Sequence, residues 1–298
     1  MEYHNPVLLS ESVKVLVSDP GGIYVDCTFG GGGHSREILE HINQEGRLFS
    51  FDQDEDAKIN IIDDERFTLV MQNFRHLKNN LRYLGVKKVN GILADLGVSS
   101  HQFDTPERGF SIRFDGDLDM RMNQSLKLTA AKILNEYEEE KLADIFYQYG
   151  ELRNARRLAR EIVSERKSNK IKTVRQLKDL FHYIPKNKEN KFLAQLFQAL
   201  RIEVNDEMAA LREMLAQCGE VIEEGGKLVV ISYHSLEDRL VKRYMKTGLF
   251  EGEPERDVYG NWNAPFKPVQ SKVIIPTEGE IEINPRARSA KMRVAVKN

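Results

Sequence analysis

The chain has 298 residues, of which 41% are hydrophobic and 30% charged, and its formal net charge at pH 7 is −2. This length suits one large domain, or a domain carrying an added part. The near-neutral balance excludes a protein that is basic over its whole surface. No apolar run is long enough to cross a bilayer, and the start MEYHNPVLLSES lacks the basic and apolar stretches of a secretory signal. Two cysteines, Cys27 and Cys218, are too few for a disulfide framework or a four-cysteine zinc site. The expectation is a cytoplasmic protein with no membrane partner and no metal site.

The first hundred residues alternate short apolar runs with helical patterns. GIYVDCT (22–28), GRLFSFD (46–52), RFTLVMQ (66–72) and GILADLGV (91–98) read as strands. HSREILEHI (34–42), DEDAKINII (54–62) and HLKNNLRYL (76–84) read as the helices between them. Such alternation implies parallel strands joined by right-handed crossovers, an α/β doubly wound sheet of the Rossmann-like kind. The pattern then breaks. Residues 101 to about 126 read as loop, and helical patterns fill the chain from there to 199. The alternation resumes with the helix DEMAALREMLAQCGEVI, the strand EEGGKLVVIS and the helix LEDRLVKRYMK. A long proline-bearing loop over 251–271 and two strands, KVIIP (272–276) and MRVAVK (292–297), complete the chain. Residues 1–104 and 200–298 are therefore expected to form one discontinuous domain, interrupted by a helical insertion over 105–199. Charge is uneven along this layout. Glu151 to Arg175 holds nine Lys/Arg against three Glu, and Asn284 to Asn298 holds five Lys/Arg and no acid. Such patches either steer a nucleic acid or are solvated faces.

In doubly wound sheets, ligands sit at the carboxyl ends of the strands where the strand order reverses. The first such end is DCTFGGGGHS, residues 26–35. Its glycines permit a sharp turn and close ligand approach. The G-x-G-x-x-G pattern is not cleanly met, and no lysine follows as a phosphate loop would require. Asp52 ends the second strand, 22 residues after Gly30, at the spacing of a carboxylate that accepts ribose hydroxyls. Asp95 ends the fourth strand, which neighbours the first in such a sheet, so it faces the same cleft.

The combination of HNPVLL, DCTFGGGGHS, ADLGVSSHQFD, ERGFS, GDLDMRM, ISYHSLEDR and NPRARSAKMR resembles the bacterial MraW/RsmH family, in consistent order from His4 to the C-terminus. The resemblance implies a Rossmann-like S-adenosylmethionine-dependent methyltransferase with an inserted helical substrate-recognition domain. The reaction implied is methylation of the exocyclic N4 of a cytidine in the decoding region of small-subunit (16S) ribosomal RNA. It also implies cofactor roles for Gly32, Gly33, His34, Asp52, Phe74, Asp95 and Gln102. Gly31 departs from the family, which often has a larger residue inside this turn.

Asp95, or a backbone carbonyl beside it, is the candidate for polarising the cytosine amine. Carbon methylation would need a cysteine nucleophile, and neither Cys27 nor Cys218 sits in a Pro-Cys motif. His234 and Ser235 do not fit the G-x-S-x-G hydrolase turn and are expected either to touch the target nucleotide or to cap the next helix. Phe110 is a candidate base platform or a core residue, and Arg108, Arg286 and Arg288 are candidate phosphate contacts. The partner expected is small-subunit ribosomal RNA, naked or within a subunit, and the sequence leaves monomer and homodimer open. Two other readings share the layout. One is a non-catalytic adenosine-ligand or RNA-binding assembly factor, against which the intact Asp52 and Asp95 argue. The other is a nicotinamide-dependent oxidoreductase, for which no acid/base set is evident.

Overall fold

The computed structural model describes residues 6–298; His4 and Asn5 of the HNPVLL stretch lie outside them. The chain divides into two units, one formed by residues up to Gly97 with Ala209–Asn298, the other by Val98–Met208.

The first unit is built on a seven-stranded sheet of order β3-β2-β1-β4-β5-β7-β6. In chain order its elements begin with α1 (Leu9–Leu16), β1 (Ile23–Asp26), α2 (Gly33–His41) and β2 (Arg47–Phe51). They continue with β3 (Phe67–Val70), α3 (Leu77–Tyr83) and β4 (Val89–Asp95). Strands β1 to β4 pair in parallel, and the order reverses between β1 and β4. Tyr24 and Val25 of β1, and Ile92, Leu93 and Ala94 of β4, are wholly buried, which is why these central strands read as near-continuous apolar runs. The expected second helix is a 3-10 turn, Glu55–Asn60, capped by the Asp54 side chain accepting from the Asp56 N–H.

The second unit carries α4 (Ser100–Asp104), α5 (Ala130–Glu136), α6 (Glu139–Gln148), α7 (Ala155–Glu165), α8 (Val174–Leu180) and α9 (Lys186–Asn205). It reaches past the expected 105–199 at both ends. The stretch expected to be loop opens on α4, held by a capping box in which Ser99 and Gln102 each accept from the other's backbone N–H. At the other end, α9 runs unbroken through residue 199 to Asn205. The core includes Leu142 and Phe146 of α6, Leu158 and Ile162 of α7 and Leu196 and Leu200 of α9, all from helical-period positions.

Helix α10 (Glu207–Val221) leads back into the sheet. Strand β5 (Ile222–Ser232) pairs parallel with β4, and its register shifts opposite Val89–Gly91. Gly225 there has φ of 79°, so the glycine pair expected as a turn is an irregularity within the strand. Helix α11 (Ser235–Thr247), β6 (Phe266–Pro268), α12 (Glu278–Ile283) and β7 (Lys291–Lys297) close the chain, with β7 antiparallel to both β5 and β6. The strand expected at 272–276 is reduced to a single bridge, Ile274 to Met292, while β6 lies inside the expected loop. Phe266 explains this: it is 1% exposed, and its burial fixes the β6–β7 register.

Within the helical unit, the GDLDMRM segment adopts a strained path, since Met120 has φ of 61° and is fully buried. The Asn205 amide holds it by donating to the Met120 carbonyl at 2.8 Å and accepting from the Met122 N–H at 2.7 Å. Asn205→Ala removes both of these hydrogen bonds from the core. It is expected to lower unfolding stability by about 2–4 kcal/mol, measured by urea denaturation; a loss under about 0.5 kcal/mol, the range of ordinary surface changes, would refute the clamp.

Candidate cofactor and catalytic site

The carboxyl ends of β1, β2 and β4 are joined by one hydrogen-bonded chain centred on Asp26, which is 0% exposed. One Asp26 oxygen accepts from the Thr28 N–H at 3.0 Å, and the other accepts from the Ser35 hydroxyl at 2.6 Å. Ser35 in α2 also lies 2.8 Å from the Ser50 hydroxyl of β2. The Thr28 hydroxyl accepts from the Asp95 N–H at 2.8 Å, which ties in β4. A buried carboxylate is tolerated only when satisfied in this way. Asp26 was not singled out in the sequence; the available signal was an acid interrupting an apolar strand four residues before the first glycine.

The glycine turn hangs from this chain. The Gly30 N–H donates to Asp52 Oδ2 at 2.7 Å, and Asn60 holds the Gly30 carbonyl at 3.0 Å. Gly32 has φ of 78° and is the N-cap of α2. A Cβ on Gly33 would lie 2.1 Å from the Pro6 ring, so no larger residue fits there. Asp52 takes a second backbone N–H, from Asp54, at 2.8 Å. Each of its oxygens accepts one such bond, and a carboxylate has about four lone-pair directions in all, so acceptor capacity remains. Burial, opposed by these two bonds and reinforced by Asp54 and Asp26, raises its pKa to about 6. Phe74 starts the 3-10 turn after β3 and is partly buried.

Asp95 is gripped from two sides. The Tyr233 hydroxyl donates to Oδ1 at 2.8 Å, and His34 Nδ1 lies 3.9 Å from Oδ2. The other ring nitrogen of His34, Nε2, donates to the Val7 carbonyl at 3.2 Å. Burial is the main cause of an Asp95 pKa raised to about 6; His34 and the Tyr233 hydrogen bond pull it down, and Asp26 and Glu237 push it up. Tyr233, which carries no sequence motif of its own, is itself pushed well above the usual phenol range by burial and by Asp95.

The remaining expected residues fall into two groups. His234 accepts from the Glu237 N–H as the N-cap of α11, and Ser235 is the first residue of that helix. Tyr233, His234, Ser235, Arg288, Ser289 and Lys291 line a cleft of about 310 Å³. Arg288 is exposed, while Arg286 is half-buried in the adjoining 3-10 turn. Gln102, Arg108 and Phe110 belong to the helical unit. There Gln102 is bound into the α4 cap, and Arg108 is 6% exposed with its guanidinium donating to the Arg121 and Met122 carbonyls. Phe110 is 4% exposed within the helical core, so it packs the core and offers no face for stacking. Arg108 likewise reaches backbone carbonyls rather than the surface.

Comparison with known proteins decides the family. The MraW methylase family model matches residues 1–298. The chain belongs to this family. Relatives include ribosomal RNA small subunit methyltransferase H of Christiangramia forsetii, 61% identical over all of this chain and 98% of that protein. The Flavobacterium johnsoniae protein of the same name is 59% identical over the same shares, and that of Bacteroides thetaiotaomicron 58%. Among solved structures, a putative rRNA methylase from Clostridium thermocellum superposes with a TM-score of 0.45 at 13% identity, covering 97% of this chain and 94% of that one. The chain is thus an S-adenosylmethionine-dependent methyltransferase of Rossmann-like fold. The residues present fit that cofactor: Asp52 keeps acceptor capacity beside the glycine turn, and Gly32 opens α2 there with its left-handed φ.

Burial of Asp95 carries a stability cost with a defined pH dependence. A carboxyl whose pKa is raised on folding contributes stability that is complete below its unfolded value near 3.8 and is lost as pH rises through about 6. Asp95→Asn keeps an acceptor for Tyr233 and carries no charge. At pH 8 it is expected to be more stable than the parent by about 1–3 kcal/mol, with the difference vanishing by about pH 4. Denaturant titration at both pH values measures this, and an Asn variant less stable at pH 8 would contradict it.

Proposed function

We propose that the protein transfers a methyl group from S-adenosylmethionine to the exocyclic N4 amine of a cytidine in the decoding region of small-subunit ribosomal RNA. The observation that carries this reading is Asp95, an acceptor carboxylate at the β1–β4 switch point that is held by Tyr233 and sits beside the glycine turn. The names of the relatives, each a ribosomal RNA small subunit methyltransferase, support the RNA class. Such a substrate implies a cytoplasmic enzyme.

In this reading the glycine turn at Gly32 and Gly33 lies along the cofactor's methionine end together with Asp95. The family resemblance implies further cofactor contacts from His34 and Gln102. Asp52 accepts the ribose hydroxyls, and Phe74 borders the adenine. When bound, the cofactor supplies an electrophilic methyl on a sulfonium sulfur. The amine of cytosine is a weak nucleophile because its lone pair is delocalised into the ring. Asp95 accepts one N–H of that amine, which favours the pyramidal nitrogen whose lone pair is available for attack. The proton then passes to the carboxylate or to solvent.

Both thiols speak for amine over ring-carbon chemistry. Cys27 and Cys218 are 2% and 0% exposed, and burial pushes both well above the usual thiol range, so neither is a thiolate poised to attack carbon. The cleft beside Tyr233 brings Arg288 and Lys291 near polar groups of the α11 start, a setting suited to a nucleotide phosphate. Arg286 shares the 3-10 turn of Arg288, and His234 and Ser235 line the cleft wall.

Asp95 acts in its ionised form, so methylation is expected to rise with pH through about 6 and then level off. Tyr233→Phe removes a bond that holds the pKa down, and the rise then moves to higher pH. Asp95→Ala is expected to reduce kcat by about 100- to 10,000-fold. Initial rates from pH 5 to 9 test the assignment, and wild-type rates in Asp95→Ala, or an unmoved profile in Tyr233→Phe, would reject it.

A further inference from the structure

Helix α7 of the helical unit is divided between two kinds of residue. Ala155, Leu158, Ala159 and Ile162 are buried, and Arg156, Arg157 and Arg160 project from the opposite face. Arg153 before the helix and Lys167 and Lys170 after it are exposed as well. The helical spacing of 156 and 160 sets a stripe along the solvent side, and Lys167 follows just past the end of the helix. Arg153 and Arg156 have no ion-pair partner among the described residues. Arg160, with a side chain 76% exposed, has Glu139 at 3.6 Å as its one ion-pair partner among them, and Arg157 is paired to Glu161 at 2.7 Å.

Positive charges one turn apart repel, and the buried face is complete without them. Arginine predominates within the helix, and its planar guanidinium binds phosphate through two parallel hydrogen bonds and also stacks on rings. A ring is present. Tyr183 is 41% exposed, with the Arg157 guanidinium 5.0 Å from its centroid and its hydroxyl donating to Glu161 at 2.6 Å. Cations following one line with an aromatic face beside them match the requirements of an unpaired polynucleotide strand: charge for the backbone and a platform for a base.

We infer that the exposed face of α7, from Arg153 to Lys167 with Tyr183, is a docking surface for the phosphate backbone of ribosomal RNA outside the target nucleotide. The inference rests on the proposed RNA substrate and adds where the flanking strand is held. It gives a role to the exposed cations from Arg153 to Lys167, while Arg166 is half-buried and donates to the Leu134 and Tyr137 carbonyls instead.

The test compares full-length protein with Arg153→Ala/Arg156→Ala/Arg160→Ala and with the corresponding triple lysine variant. Binding to deproteinised small-subunit RNA and to intact small subunits is measured across a range of salt. Neutralising three phosphate contacts lowers the slope of log K against log salt by about 2. The alanine variant is expected to show that loss with RNA and subunits alike, and to bind S-adenosylhomocysteine as the parent does. The lysine variant is expected to restore the slope, which a merely structural defect would not allow. An unchanged slope overturns the inference. So does weakened binding to subunits with full binding to RNA, which would make the partner a ribosomal protein. If the parent itself yields no methylated nucleoside, the proposed function fails, while the salt slope still reports on this face.

Discussion

The buried carboxylate of Asp26 is the constraint on which the site depends. It lies at the end of β1 with no exposure to water, so its charge is tolerable only while Thr28 and Ser35 satisfy it. Those two residues in turn tie the neighbouring elements to β1. Thr28 fixes the Asp95 backbone, and Ser35 joins the first turn of α2 to Ser50 in β2. The glycine run between them is freed to turn because its flanks are anchored. Gly30 is held by Asp52 and Asn60, and Gly33 packs too closely on Pro6 to admit a side chain. Backbone freedom is thus confined to a few peptide units, as a surface that closes on a ligand requires.

Asp95 shows the conflict between stability and chemistry in its sharpest form. Partial burial, which leaves the side chain 20% exposed, raises its pKa, whereas the proposed reaction uses the ionised carboxylate. The hydroxyl of Tyr233 and the ring of His34 offset part of that penalty. They leave the group near the middle of its titration at mildly acid pH and ionised at neutral pH. An active site that spends stability in this way is a recurring pattern, because the same dry surroundings strengthen each polar contact made there.

Much of this was legible in the residues. The central strands announced themselves because burial on both faces leaves continuous apolar runs, and the glycine turn, Asp52 and Asp95 followed from their positions at strand ends. What failed depends on long-range contacts. KVIIP has the β-branched composition of a strand, yet only Ile274 pairs, and Ile275 is 62% exposed. Strand β6 hid among prolines because its pairing with β7 and the burial of Phe266 are tertiary facts. Phe110 carried the right chemistry for stacking, but its placement in the helical core is invisible to composition. Asp26 and Tyr233 escaped notice because their importance lies in the partners that folding brings to them.

The account's central claim concerns which atom receives the methyl group. The direct measurement is mass spectrometry of nucleosides from small ribosomal subunits that lack the modification, after incubation with this protein and S-adenosylmethionine. The account predicts a single new nucleoside, N4-methylcytidine, in the decoding region. Methylation at ring carbon 5, or no new nucleoside on either subunits or deproteinised RNA, would contradict it.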